Sequence, residues 1–362
     1  MTRRIVIGTA AVSMAVSLAA CGKAGDDKDS GSGGDSKTIG LLLPENKTTR
    51  YETFDRPLIE AKIKALCSDC EVKYNNAAQD TETQKKQFDA LVTQGVKVII
   101  LDSVDFKATK SWVQQADKKG VKVVAYDRLA EGPISAYVSY DNEKIGRLQG
   151  EALVKALGDK AKDSNVVMIN GSPTDPNAPF FKKGAHSVLD TQVKKVVYEQ
   201  DIPDWSPDEA NKKMGAAIDS LGKKGFQGVY SANDGMAGGI ITALKKQGVK
   251  VPVGGQDSEL AGLQRILAGD QSFSIYKQIK PQAETTAEIA VDLLKGKKFD
   301  SLTNTKVDSL SGEFKATPSK LYDASVVTKD NIASTIIADG VYKASDICTA
   351  EFKAACDAAG IK

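Results

Sequence analysis

The sequence predicts an α/β protein made of two doubly wound parallel-sheet domains. Three observations carry that expectation. At 362 residues the chain is longer than one compact core supports, so two domains are the default. Short apolar runs alternate with amphipathic helical stretches, and two of the runs, 96–101 and 121–126, are almost continuously apolar, the mark of strands buried on both faces. After 134–138 the alternation restarts and runs through a second series.

The chain opens with Arg3 and Arg4 before an apolar run over 5–20 that ends Leu18-Ala19-Ala20-Cys21. A charged start and a short apolar core describe an export signal over 1–20, too short to persist as a membrane-spanning helix. Small residues directly before a cysteine resemble the lipobox of bacterial lipoproteins, which implies a lipid-modified Cys21 anchoring the mature chain to the outer face of the cytoplasmic membrane. Residues 21–37 are rich in Gly, Ser and Asp and are expected to form a flexible tether.

Folded structure is predicted from about Thr38. Strands are expected at 39–43, 72–74, 96–101, 121–126 and 134–138, with helices at 54–66, 81–94 and 108–119 between them. The second series places helices at 142–157, 179–189, 207–221, 235–247 and 259–268, and strands at 165–169, 195–199, 228–230, 251–253 and 273–275. A helix over 282–294 and a tail from Leu321 follow. Trp112 falls on an amphipathic helix and reads as packing. Besides Cys21, four cysteines remain, an even number in an oxidising compartment. Two local disulfides are expected, Cys67–Cys70 and Cys348–Cys356. The alternative for Cys67-x-x-Cys70, a redox pair or half a zinc site, is weakened by its place at a helix end with no second pair or histidine nearby.

The second series carries the functional signal. Apolar runs lead into Ser231-Ala232-Asn233-Asp234, Gly254-Gly255-Gln256-Asp257 and Tyr276-Lys277-Gln278. In parallel α/β sheets ligands sit beyond the carboxyl ends of the strands. Asn233, Asp257 and Lys277 would therefore gather at one edge as a polar ligand site, although Asn233 and Asp257 also suit helix N-caps.

Several segments together resemble the periplasmic-type sugar-binding lipoproteins of ABC importers, with the D-xylose-binding group nearest. They are Ala125-Tyr126-Asp127-Arg128, the run from Tyr137 to Lys144, Gly171-Ser172-Pro173-Thr174-Asp175, Ser231-Ala232-Asn233-Asp234 with Ala237-Gly238-Gly239, Gly255-Gln256-Asp257 and Tyr276-Lys277. The resemblance covers about 39–338 and implies a type I periplasmic-binding-protein architecture, two α/β domains joined by a three-strand hinge with a monosaccharide held between them. The domains would be 38–139 plus 279–317 and 140–278 plus 318–362, with crossings near 138–141, 277–281 and 315–320. Carried over by position, the implied sugar ligands are Arg50 and Tyr51 after the first strand, Asp127 and Arg128 after the fourth, then Asp175, Asn177, Trp205, Asn233, Asp257 and Lys277. These residue types suit a ring of hydroxyls with an apolar face, since planar charged or amide groups pair with hydroxyls and aromatic rings cover C–H surface. The chain departs from the xylose-specific pattern in carrying Tyr51 where those proteins have Trp, and in one extra residue before Asp55-Arg56.

The implied partners are a monosaccharide, the permease subunits of the transporter and, through Cys21, the membrane; a monomer is expected. A net charge of +2 with no long basic run argues against nucleic acid, and the export signal argues against a repressor of the same fold. A sugar-sensing subunit is the alternative within the fold. A glycosidase is disfavoured because Arg128 and Lys277 would hold the carboxylates ionised, leaving no general acid. The single histidine, His186, lies on a predicted helix, and no phosphate loop or dinucleotide fingerprint follows the first strand. No enzyme activity, cofactor or metal is expected.

Overall fold

The computed structural model describes residues 37–361. The export segment, Cys21 and nearly all of the tether lie outside the described residues. In chain order the first part contains β1 (Thr38–Leu43), α1 (Arg56–Leu66), β2 (Glu71–Asn76), α2 (Thr81–Thr93), β3 (Val98–Leu101), α3 (Thr109–Lys118), β4 (Lys122–Tyr126) and β5 (Ala136–Tyr140). A second series follows: α4 (Asn142–Leu157), β6 (Asn165–Asn170), α5 (Ala178–Gln192), β7 (Lys195–Asp201), α6 (Pro207–Leu221), β8 (Gly228–Ser231), α7 (Asp234–Lys246), α8 (Leu260–Ala268) and β9 (Ser274–Lys277). The chain ends with α9 (Ile279–Leu294), β10 (Thr305–Val307), β11 (Thr317–Tyr322), β12 (Ala324–Val327), α10 (Ala344–Ile347) and α11 (Lys353–Ala358).

Seven strands form one sheet in the order β10-β11-β5-β4-β3-β1-β2, parallel except for the edge strand β10. One face packs against α1 and α9 through Ile59, Ile63, Ala283, Ala287 and Ala290. The other packs against α2 and α3 through Phe88, Leu91, Trp112 and Val113. Trp112 is core as expected, its ring 6.1 Å from that of Phe88. The second half has the parallel sheet β7-β6-β8. Single parallel bridges, Val229 to Val253 and Gln256 to Ile275, continue it towards β9.

The expected strand over 251–253 is reduced to that one bridge. Pro252 has no N–H to give a ladder, and Gly254-Gly255 follow directly. β9 pairs antiparallel with β12, so this half is mixed rather than wholly parallel. The tail finds its place on α8, where Ile332, Ile336, Ile347 and Cys356 cluster with Leu263, Ile266 and Leu267. Both expected disulfides form, Cys67–Cys70 and Cys348–Cys356, with Cα separations of 5.2 and 5.9 Å.

The chain passes between the halves after Tyr140, after Lys277 and after Tyr322. The last crossing was expected over 315–320, but β11 stays paired with β5 as far as Tyr322. Helix starts follow local chemistry. Asp80, Asp141, Ser206 and Asn233 each accept a backbone N–H of the first turn, and Pro207 stands at the first helical position of α6. No helix among the described residues is long and apolar enough to cross a membrane.

Helices α4 and α5 approach so closely that a Cβ on Gly146 would run into the Phe181 backbone and one on Gly184 into the Glu143 carbonyl. Gly146→Ala is therefore expected to cost about 1–3 kcal/mol by overpacking. Gly215→Ala, inside α6 with open space where the methyl would sit, is expected to add about 0.5–1 kcal/mol. Urea denaturation of the two variants checks both signs.

Candidate functional site

Loops at the carboxyl ends of the strands from both halves meet around one cavity. Its lining is Thr48, Arg50, Tyr51, Asp127, Arg128, Asp175, Asn177, Phe181, Trp205, Asn233, Gln256, Asp257 and Lys277, and the free space between them is about 20 Å³. All ten residues singled out from the sequence are in that lining. A larger cavity adjoins it beside the crossings, sharing Arg50, Asp257 and Lys277, and its wall includes Phe54, Leu58, Ile279, Pro281, Val341 and Tyr342. The dense polar constellation belongs to the smaller one.

Arg50 and Tyr51 are positioned by the first loop. A π-helical turn, Tyr51–Asp55, leads straight into α1. That turn brings Asp55 back onto Arg50, whose Nε and Nη2 donate to its carboxylate at 3.0 and 2.5 Å. Arg50 Nη1 reaches Asp127 Oδ1 at 3.3 Å. The Tyr51 hydroxyl donates to Asp127 Oδ2 at 3.2 Å, and both guanidiniums, of Arg50 and Arg128, lie within 6 Å of its ring centre. Although burial pushes the Asp127 carboxyl up, the charges of Arg50 and Lys277 and a hydrogen bond from Gln282 hold it down to about 2. It is an ionised acceptor throughout the physiological range.

Arg128, 1% exposed, lies between three acids. Its Nε meets Asp175 Oδ2 from the other half at 2.8 Å, while Asp102 and Glu45 stand 3.7 Å away behind it. Burial raises Asp102 well above the ordinary carboxylate range despite Arg128 beside it. Asp175 also accepts the Trp205 indole N–H at 3.1 Å. The Trp205 ring packs over Gly171, where any Cβ would strike it. Asn177 donates to the Asp127 carbonyl at 3.2 Å, a second tie between the halves. Lys277 pairs with Asp257 at 2.8 Å, its ammonium about 6 Å from the rings of Tyr140 and Phe181.

The capping alternative separates two of the candidates. Asn233 does cap α7, its Oδ1 accepting from Met236 N–H at 2.9 Å while the residue still lines the cavity. Asp257 caps nothing: α8 starts after Glu259, and Asp257 holds φ +91° with its carboxylate on Lys277. Asp127 and Trp205 also take left-handed backbone, at φ +55° and +53°. Strain of this kind gathers at sites that the surrounding structure over-determines.

Sequence reading missed Thr48, Phe181 and Gln256 in the lining, and Asp55, Tyr126 and Gln282 behind it. Phe181 had the signal of an aromatic in the first turn of the helix after Asp175 and Asn177. Gln282, buried on α9 among Ala283, Thr286 and Ala287, carried no local signal. His186 lies outside the cavity, between Asp190 and Glu199. Among the described residues the cluster of three side chains able to ligate a metal is Cys67, Asp69 and Cys70, whose two sulfurs are bonded to each other.

A profile of the periplasmic binding protein domain matches residues 39–298. The chain belongs to that family. The D-xylose-binding periplasmic protein of Escherichia coli is 36% identical over 316 residues, covering 85% of this chain and 92% of that protein. The multiple sugar-binding periplasmic receptor ChvE of Rhizobium radiobacter is 30% identical over 334 residues, covering 86% and 93%. Among solved structures, an ABC transporter solute-binding protein from Clostridium phytofermentans with bound β-D-glucose superposes with a TM-score of 0.78 at 27% identity, covering 86% of this chain and 99% of that one. The fold is the type I periplasmic-binding-protein fold, and the family is one of solute binders rather than enzymes.

The halves also meet at Glu259, which is 7% exposed and accepts the Thr49 N–H at 3.3 Å. Burial, with the neighbouring charges of Asp234 and Asp257, raises Glu259 to about 8. Burial raises Asp234 as well, against the pull of Arg265. A carboxyl raised on folding is bound to its proton more tightly in the folded state, so its contribution is complete below about pH 4.5 and is lost as pH rises through about 8. The denaturation midpoint is expected to fall between pH 5 and 8.5, and Glu259→Gln to flatten that slope.

Proposed function

We propose that this chain is the extracytoplasmic substrate-binding lipoprotein of an ABC sugar importer. It holds a monosaccharide, D-xylose or a closely related aldose, between its halves and delivers it to the permease. The observation that carries the reading is the single compact cavity lined by all ten sequence-derived residues, with ionised Asp127 and buried cation–carboxylate pairs beside Phe181 and Trp205. Such a wall matches a small ring of hydroxyls: charged and amide groups take the hydroxyls, and the aromatic side chains take the C–H surface. The sugars named for the relatives point the same way, D-xylose for one and several sugars for another.

On this reading residues 38–139 with 279–317 and residues 140–278 with 318–362 act as two lobes that close on the sugar, and the closed surface is what the permease reads. Export through residues 1–20 and lipid attachment at Cys21 keep the protein at the outer face of the membrane, as a monomer.

Titration calorimetry of residues 22–362 against xylose, glucose, galactose, ribose and arabinose tests it. One-to-one saturable binding of one or two aldoses is expected, with a change in Trp205 fluorescence that Trp205→Phe abolishes. Asp257→Ala leaves Lys277 buried without its partner, and affinity is expected to fall by about 2–5 kcal/mol. Heatless titrations across the whole panel would overturn the reading.

A further inference from the structure

Resting on the monosaccharide reading, we propose that Gln282 is a specificity-determining residue: from the first turns of α9 it removes surplus hydrogen-bonding capacity from Arg50 and Asp127, so that the pair reads the stereochemistry of one ligand position. Gln282 is fully buried and absent from the cavity lining. Its Oε1 accepts from Arg50 Nη2 at 2.8 Å. Its Nε2 donates to Asp127 Oδ1 at 3.2 Å and to the Val138 carbonyl at 3.3 Å.

Hydrogen-bond counting gives the consequence. A guanidinium has five N–H donors in a fixed fork. On Arg50 the Nε–H and one Nη2–H go to Asp55, the other Nη2–H to Gln282 and one Nη1–H to Asp127. The Tyr126 hydroxyl, which donates to Asp55, also accepts a long 3.5 Å contact from Nη2, so both Nη2–H are engaged. One Nη1–H remains. On Asp127, Oδ1 accepts from both Arg50 and Gln282, which fills its two lone pairs, and Oδ2 accepts from Tyr51. One Oδ2 lone pair remains. The pair therefore offers a ligand one donor and one acceptor in fixed places, the complement of one hydroxyl or of two neighbouring ones. A site whose polar groups are all committed rejects a misplaced hydroxyl because nothing spare is left to satisfy it.

Removing the amide frees one Nη2–H on Arg50 and one lone pair on Asp127 Oδ1, and with them alternative ways to satisfy an epimer. The test measures dissociation constants of wild type, Gln282→Met and Gln282→Glu for D-xylose and its epimers at C2, C3 and C4, namely D-lyxose, D-ribose and L-arabinose. In Gln282→Met, which keeps the bulk of the side chain, discrimination against one epimer is expected to narrow by about tenfold while the other ratios hold. Gln282→Glu keeps an acceptor for Arg50 but sets a second carboxylate against Asp127. Its affinity is expected to drop at neutral pH and to recover as pH falls, when the protonated acid can again donate to Oδ1. An equal shift for all four sugars in Gln282→Met, or none in either variant, overturns the assignment and leaves the monosaccharide reading standing. Wild type that binds no member of a wider aldose panel overturns both.

Discussion

Among the described residues three cations are sealed inside the molecule, and the arrangement of the site follows from the need to pair them. Arg128, Arg50 and Lys277 are 1%, 2% and 5% exposed. A buried charge left alone costs several kcal/mol, so each cation fixes a carboxylate beside it. Arg50 takes Asp55 and Asp127, Lys277 takes Asp257, and Arg128 takes Asp175 with Asp102 and Glu45 behind. The Arg128–Asp175 pair differs from the others because its members come from opposite halves. Apart, both would be hydrated; together, they exchange water for each other, and such exchanges come close to balance. A contact of that kind adds little net stability to the meeting of the halves.

Backbone strain shows how firmly the loops are held. Left-handed conformations at Asp127, Trp205 and Asp257 cost about 1–3 kcal/mol each. At Asp127 the backbone is held on several sides: its N–H donates to the Val138 carbonyl, and its own carbonyl accepts from Tyr137, Ser139 and Asn177. At Asp257 the N–H donates to the Ile275 carbonyl, and the next N–H donates to the Ser274 hydroxyl. In both places the neighbouring strand supplies the partners. The sheet edges therefore do more than carry the site residues; they hold them in conformations the residues would not choose.

How much of this was legible follows from what each signal depends on. Helices α4 and α6 were readable to the residue because caps and apolar period agree there, with Asp141 and Ser206 at the starts. The strand at 251–253 was misread because an apolar triplet looks alike whether or not a proline interrupts its donors. The antiparallel pairing of β9 with β12 depends on a partner some fifty residues away, which no local pattern encodes. The ten cavity residues were findable because they follow strand ends and share motifs with the family. The support behind them was not. Asp55 reaches Arg50 through the π turn over Tyr51–Asp55, and Gln282 arrives from α9, a helix that packs with α1 after a long excursion of the chain through the other half.

That long-range assembly divides the site into two kinds of wall. Arg50, Asp55, Tyr126, Asp127 and Gln282 all belong to the seven-stranded half, and every hydrogen bond among them is made inside it. This wall is complete whether or not the halves touch. Tyr51 belongs to it too: burial raises its phenol well above the ordinary range, so it stays protonated and donates to Asp127 as a fixed polar edge. Phe181, Trp205 and the Asp257–Lys277 pair come from the other half. On the proposed reading, a polar wall that meets the hydroxyls first and an aromatic wall that covers the ring afterwards would place discrimination before closure. Little ordering then remains to oppose binding at the wall that discriminates, because the side chains there are already immobilised.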